Sequence, residues 1–140
     1  MRFLMVLMCL AVPVTAAVDD ESAALVGVYT ITSGEKFGVV EPKDKIQGDV
    51  VRFSQDRVVV IDKNSNEIYG STYKLDASTK PWKITMTSKL ADKEDVVSNG
   101  LIEKDGDTVK LIYALPGGET PTSFKTGDKQ LMFIMRYKGK

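Results

Sequence analysis

An all-β fold, an antiparallel up-and-down barrel of about eight strands, is the class that this sequence predicts. Three observations carry that expectation. Short runs of β-branched and aromatic residues recur with a period of two and are separated by tight polar turns, as consecutive hairpins require. Beyond residue 17 no long helical periodicity occurs, so the crossovers that a parallel α/β sheet needs are missing. Residues 131–137, Leu-Met-Phe-Ile-Met-Arg-Tyr, form an apolar strand with Arg136 as its one charge. Pairing that strand with the first, residues 25–31, closes the sheet and removes both of its edges. A two-sheet sandwich is the competing architecture, and nearest-neighbour hairpins favour the barrel.

The chain opens with Arg2, an apolar run over 3–12 and the small residues Thr15, Ala16 and Ala17. This reads as a signal peptide, 1–17, too short to span a bilayer. Lipidation at Cys9 is disfavoured, because Met8 is not the small residue such a site wants, and Pro13 interrupts any helix there. The remainder, 18–140, is long enough for one core and not two. The expectation is a single secreted or periplasmic domain with no stable membrane insertion after cleavage.

After an acidic lead-in, Leu25, Gly27, Tyr29 and Ile31 alternate with Val26, Val28 and Thr30. Residues 33–48 form the longest irregular piece and would cross one mouth of the barrel. Runs at 50–53 and 58–61 flank Ser-Gln-Asp-Arg, and Asn64-Ser65-Asn66 turns the chain into 68–75, where Tyr69, Tyr73 and Leu75 share a face. Following the turn at 76–81, Trp82, Ile84, Met86 and Ser88 alternate with Lys83, Thr85, Thr87 and Lys89, the cleanest inside–outside pattern in the chain. Residues 90–98 read as a charged turn. Strands at 101–104 and 108–115 flank Asp105-Gly106-Asp107, a strong hairpin signal because Asp and Gly tolerate positive φ. The proline- and glycine-rich stretch 116–121 stops the strand before the final one.

Lysine plus arginine and aspartate plus glutamate both total 19, so no net field favours nucleic acid or an anionic membrane. Histidine is absent and Cys9 is the only cysteine, which removes the usual ligands for zinc, copper, haem and iron–sulfur clusters. No cofactor and no metal site are expected. Triads that need a base near pH 7 have none. The carboxylates Asp92, Glu94, Asp95, Asp105 and Asp107 fall in polar turns, where solvated charge is the expectation. Asp105-Gly106-Asp107 lacks the ligand spacing of a calcium loop. The chain therefore reads as a domain that is not an enzyme.

Several segments in order carry a family likeness: Leu-Val-Gly-Val-Tyr at 25–29, Val-Arg-Phe at 51–53, Gly-Ser-Thr-Tyr-Lys-Leu-Asp at 70–76 and Lys-Pro-Trp-Lys-Ile-Thr at 80–85. Asp-Gly-Asp-Thr-Val-Lys-Leu at 105–111, Gly-Gly-Glu-Thr-Pro-Thr-Ser-Phe at 117–124 and a last strand carrying Arg136 complete the set. Together they resemble a family of small secreted domains of unknown function, abundant in planctomycete bacteria and regarded as lipocalin-like. The chain departs from that pattern at Tyr29, where the family has tryptophan, and at Thr120, where it has arginine. The second departure removes a positive charge from the loop. More distantly, a glycine–aromatic pair on the first strand with an arginine on the last is similar to the structural signature of lipocalins and avidins. That resemblance implies structural roles for Gly27, Tyr29 and Arg136, with the guanidinium stacked over the Tyr29 ring for about 0.5–2 kcal/mol.

The interior is the candidate site. Alternation directs Tyr29, Phe53, Tyr69, Tyr73, Trp82, Met86, Tyr113 and Phe133 inward, with Leu111 and Met135 beside them. Eight strands enclose a lumen that side chains just fill or that holds one small ligand. Two function classes follow. One is a binding module for a small apolar or amphipathic molecule, with 33–48 and 116–124 as rim loops. The other is an envelope protein-interaction or inhibitor domain with a filled barrel and functional loops.

Overall fold

The structure, a computed structural model, describes residues 23–88 and 95–139. The segment 1–17, expected as a signal peptide and containing Cys9, the carboxylates Asp92 and Glu94, and most of the charged turn assigned to 90–98 lie outside the described residues. Nine strands run in chain order: β1 (Gly27–Lys36), β2 (Val39–Val40), β3 (Val50–Phe53), β4 (Arg57–Ile61), β5 (Glu67–Asp76), β6 (Trp82–Ser88), β7 (Val96–Asp105), β8 (Thr108–Ala114) and β9 (Gln130–Gly139). One helical turn, α1 (Lys43–Ile46), sits between β2 and β3.

Every pairing is antiparallel, β3 to β9 follow one another as a meander, and β1 joins β3 on one side and β9 on the other. The result is a closed eight-stranded barrel with β2 as a short flap on β1. Closure rests on the β1–β9 ladder, whose register runs from Val28 opposite Gly139 to Lys36 opposite Leu131. A β-bulge at Thr32 interrupts it, and the extra residue bends β1 around the barrel. Thr32 Oγ1 donates across the seam to the Ile134 carbonyl at 3.1 Å.

The main core fills the inside, where Tyr29, Phe53, Ile84, Met86, Ile102, Val109 and Met135 are buried. A second cluster forms on the outer wall, where Leu101, Ile112 and Met132 are covered by Phe124 and Ile134. Only the first part of the segment 116–124 stays near the turn before β9, where Gly117 to Glu119 lie beside Gly127, Asp128 and Gln130; Thr120 and Pro121 lie beside Gly100 and Leu101 of β7, and Phe124 covers the outer-wall patch.

Two glycines allow close approaches that no other residue would. A Cβ on Gly27, at φ +149°, would meet the Tyr137 ring, and one on Gly100, opposite Tyr113 in the β7–β8 register, would meet the Ile112 carbonyl oxygen. Gly27 thus leaves room for a ring, and that ring is Tyr137.

One end of the barrel is sealed by aromatic rings stacked edge to face. Tyr137 lies 5.5 Å from Tyr29, Tyr29 5.7 Å from Phe53, and Phe53 5.6 Å from Tyr73, at interplanar angles of 73–88°. Such pairs contribute about 0.5–1.5 kcal/mol each beyond the area they bury. Tyr29 Oη donates to the Leu25 carbonyl at 2.9 Å and Tyr73 Oη to the Ser54 carbonyl at 2.7 Å, so both hydroxyls are satisfied inside the seal. Phe53, like Tyr29, takes part in two of the three pairs. Phe53→Ala is expected to cost about 3–5 kcal/mol in urea unfolding, and a loss below about 1 kcal/mol would show that the rings are not the seal.

Candidate functional site

The other end of the barrel is where the interior opens. Because β1 runs toward this end and β9 away from it, Ile31, Phe133 and Met135 come together there, and β8 adds Leu111 and Tyr113. Between them is a cavity of about 150 Å³ lined also by Val51, Val58, Val60, Ile68, Tyr69 and Met86. The Tyr113 and Phe133 rings lie 6.5 Å apart, tilted by 32°, and flank it. Ile46 of α1 is buried against the core, so the helical turn closes part of the mouth. Asp49 lines the mouth, the one charged side chain among the described lining residues.

Electrostatics at the mouth disfavours added negative charge. Burial, then the neighbouring Asp62 carboxylate, holds the Asp49 carboxyl above the usual aspartate range, with Lys63 partly offsetting them. Burial also pushes the Tyr113 phenol upward, reinforced by Tyr69, so that hydroxyl stays protonated through the physiological range.

The eight residues assigned to the lumen divide into two groups. Tyr69, Met86, Tyr113 and Phe133 line the cavity, as do Leu111 and Met135. Tyr29, Phe53 and Tyr73 belong to the sealed end, and Trp82 sits at the same end, opposite Ile102 at the start of β6. Direction along the strand separates the groups, since all eight face inward but only those near one end meet open space.

Arg136 requires a correction. It is exposed, and it pairs with Thr30, whereas Tyr137 pairs with Tyr29. Successive strand residues point to opposite faces, so the register that brings Tyr137 inward turns Arg136 out to solvent. The contact over Tyr29 is thus aromatic and not cationic.

The segment 33–48 is likewise more ordered than an open crossover. Ser33 to Lys36 continue β1, which turns at Phe37 (φ 53°) and Gly38 (φ 84°) into β2. The Glu35 carboxylate accepts from Thr126 N at 2.9 Å and Thr126 Oγ1 at 2.6 Å, and Thr126 Oγ1 accepts from Gly38 N at 2.7 Å. These bonds hold the Glu35 carboxyl below its ordinary range. They also tie the turn before β9 to the β1–β2 hairpin. The hairpin leaves Phe37, Val39 and Val40 exposed at 44, 68 and 67 %.

Sequence reasoning missed Val51, Val58, Val60 and the mouth residues Ile68 and Asp49. Val58 and Val60 lie within an unbroken valine run, where alternation gives no inside. It also missed Ser71, which is buried on the inner face of β5 between Tyr69 and Tyr73.

No protein-family model, curated protein or solved structure matches the chain. The fold and the cavity define the class by themselves: a small antiparallel β-barrel, sealed by aromatic rings at one end and hollow at the other.

The seal carries a pH signature. Burial, then Tyr137 and Asp107, pushes the Tyr29 phenol up to about 12 from the ordinary 10. A folded-state value above the unfolded one gives stability that is complete below pH 10 and is lost as pH rises toward about 12. Tyr29→Phe is expected to be less stable than the parent at pH 8, through loss of the Leu25 bond, by about 0.5–1.5 kcal/mol. The gap should narrow by pH 11.5 in urea titrations; a gap that stays constant would contradict the assignment.

Proposed function

We propose that this is an exported barrel domain that binds one small apolar or amphipathic molecule in the open half of its lumen. The cavity of about 150 Å³ with its apolar lining carries the reading. Apolar cavities of this size stay dry and take up ligands such as benzene or xenon. Pockets for larger organic ligands measure roughly 300–1,000 Å³, so the occupant has about six to ten non-hydrogen atoms. Asp49 and Asp62 at the mouth select against carboxylates such as fatty acids. The likeness to secreted lipocalin-like domains and the signal-like leader support export and agree with a carrier or sensor of small molecules. The domain has no enzymatic activity in this proposal, and neither nucleic acid nor a cofactor takes part.

Met86 and Met135 both line the cavity, so their methyl groups report directly on its occupancy. Toluene added to methyl-labelled protein is expected to shift both signals saturably, at a stoichiometry of one and a Kd on the order of 0.1–1 mM. Unchanged methyl signals at toluene saturation would overturn the proposal.

A second reading, an envelope protein-interaction domain, is favoured by the exposed Val39 and Val40 on the short edge strand β2 and by Phe37 in the turn before it. An unpaired apolar edge is a template for strand addition by a partner. In that case Val40→Lys would abolish partner capture while leaving toluene binding intact, and capture that survives this change would exclude the hairpin.

A further inference from the structure

Asp49 is the one charged side chain among the described residues that line the cavity, and it is half-buried. Its carboxylate accepts no hydrogen bond and forms no ion pair among the described residues. A carboxylate set partly into apolar surroundings is normally matched by a donor or a cation. The neighbouring acid is employed differently. Asp62 Oδ1 accepts from the backbone N–H groups of Asn64 and Asn66, both at 2.9 Å, and so shapes the turn between β4 and β5. Repulsion from Asp62 adds to burial in holding the Asp49 carboxyl above the usual aspartate range, and Lys63 offsets it only in part. Two carboxylates against one ammonium leave this corner of the mouth negative.

The register brings two phenols to the same end. Val50, next to Asp49, pairs with Ile61, next to Asp62, and Tyr69 pairs with Val60. Tyr69 and Tyr113 both line the cavity, and neither hydroxyl has a hydrogen-bond partner among the described residues. A phenol oxygen can accept a hydrogen bond. The Tyr113 and Phe133 rings flank the hollow, and aromatic faces attract cations.

Resting on the binding function proposed above, we propose that the ligand is a small amphipathic amine bound as its ammonium ion, its apolar body among Leu111, Phe133 and Met135 and its charge held at the mouth by the Asp49 carboxylate. An ammonium group carries three donors and no acceptor, so one group supplies the carboxylate and has donors left for a phenol oxygen or water. The half-open position suits an ion, which keeps part of its hydration there and would lose it deep in the lumen. Anions meet like charge at the same place, and neutral molecules leave Asp49 without a partner.

Benzylamine, protonated at neutral pH, and benzyl alcohol have nearly the same shape and differ in charge, which makes them the test pair. Both are titrated into the parent protein and into Asp49→Asn, which keeps the side-chain shape and removes its charge. The Met86 and Met135 methyl signals are read, with toluene as the check on the lumen. The parent is expected to bind benzylamine roughly three- to tenfold more tightly than benzyl alcohol, and Asp49→Asn to erase that preference. Binding of benzyl alcohol and toluene should be the same in both proteins. A parent that binds benzyl alcohol as tightly as benzylamine would overturn the amine assignment whatever the variant does, and so would a preference that survives in Asp49→Asn. Equal weakening of all three probes in the variant would overturn the role of Asp49 by making it structural. In each of these cases toluene binding by the parent leaves the binding function standing, whereas a parent that binds none of the three would overturn both proposals together.

Discussion

The structure depends on one seam. A meander of strands leaves two free edges, and here they are removed by pairing β1 with β9. The pairing brings the glycine of the first strand against a ring of the last: Gly27 has no side chain where the Tyr137 ring lies. Tyr137 in turn stacks on Tyr29, Tyr29 on Phe53 and Phe53 on Tyr73. Rings from four strands thus converge on one end of the barrel, and the close β1–β9 approach allows it. The hollow lies at the opposite end, among Leu111, Tyr113, Phe133 and Met135.

Much of this was legible in the residues. Alternation in 82–88 and the Asp105-Gly106 hairpin placed β6, β8 and the second half of β7 correctly, and the apolar last strand found its partner. Less legible were the places where the usual pattern is inverted. In the first part of β7, Val97 is 52 % exposed and Ser98 is 6 % exposed, so an inside–outside reading assigns a turn to what is strand. In β1, the bulge at Thr32 resets the alternation and hides the continuation to Lys36. Arg136 was misread for a related reason. The lipocalin-like signature gave its guanidinium a structural place over the Tyr29 ring, yet the register puts it on the solvent face and gives the inner position to its neighbour Tyr137.

The candidate site was legible only in part, because alternation reports which face a residue occupies and not how far along the barrel it lies. The eight inward aromatic and methionine residues are correct as a face and divided as a site: Tyr69, Met86, Tyr113 and Phe133 meet open space, while Tyr29, Phe53, Tyr73 and Trp82 fill the opposite end. Ser71 has the period of its neighbours Tyr69 and Tyr73, but a small polar residue on an inner face carries no hydrophobic signal.

The central claim is that one interior is divided into a packed end and a hollow one. Xenon enters apolar cavities without needing any polar contact, so crystals of the barrel domain under xenon pressure test that division without assuming a ligand. The account predicts a single xenon site among Leu111, Tyr113, Phe133 and Met135 and none among Tyr29, Phe53 and Tyr73. Xenon density at the aromatic end, or an absence of interior density at saturating pressure, would contradict it.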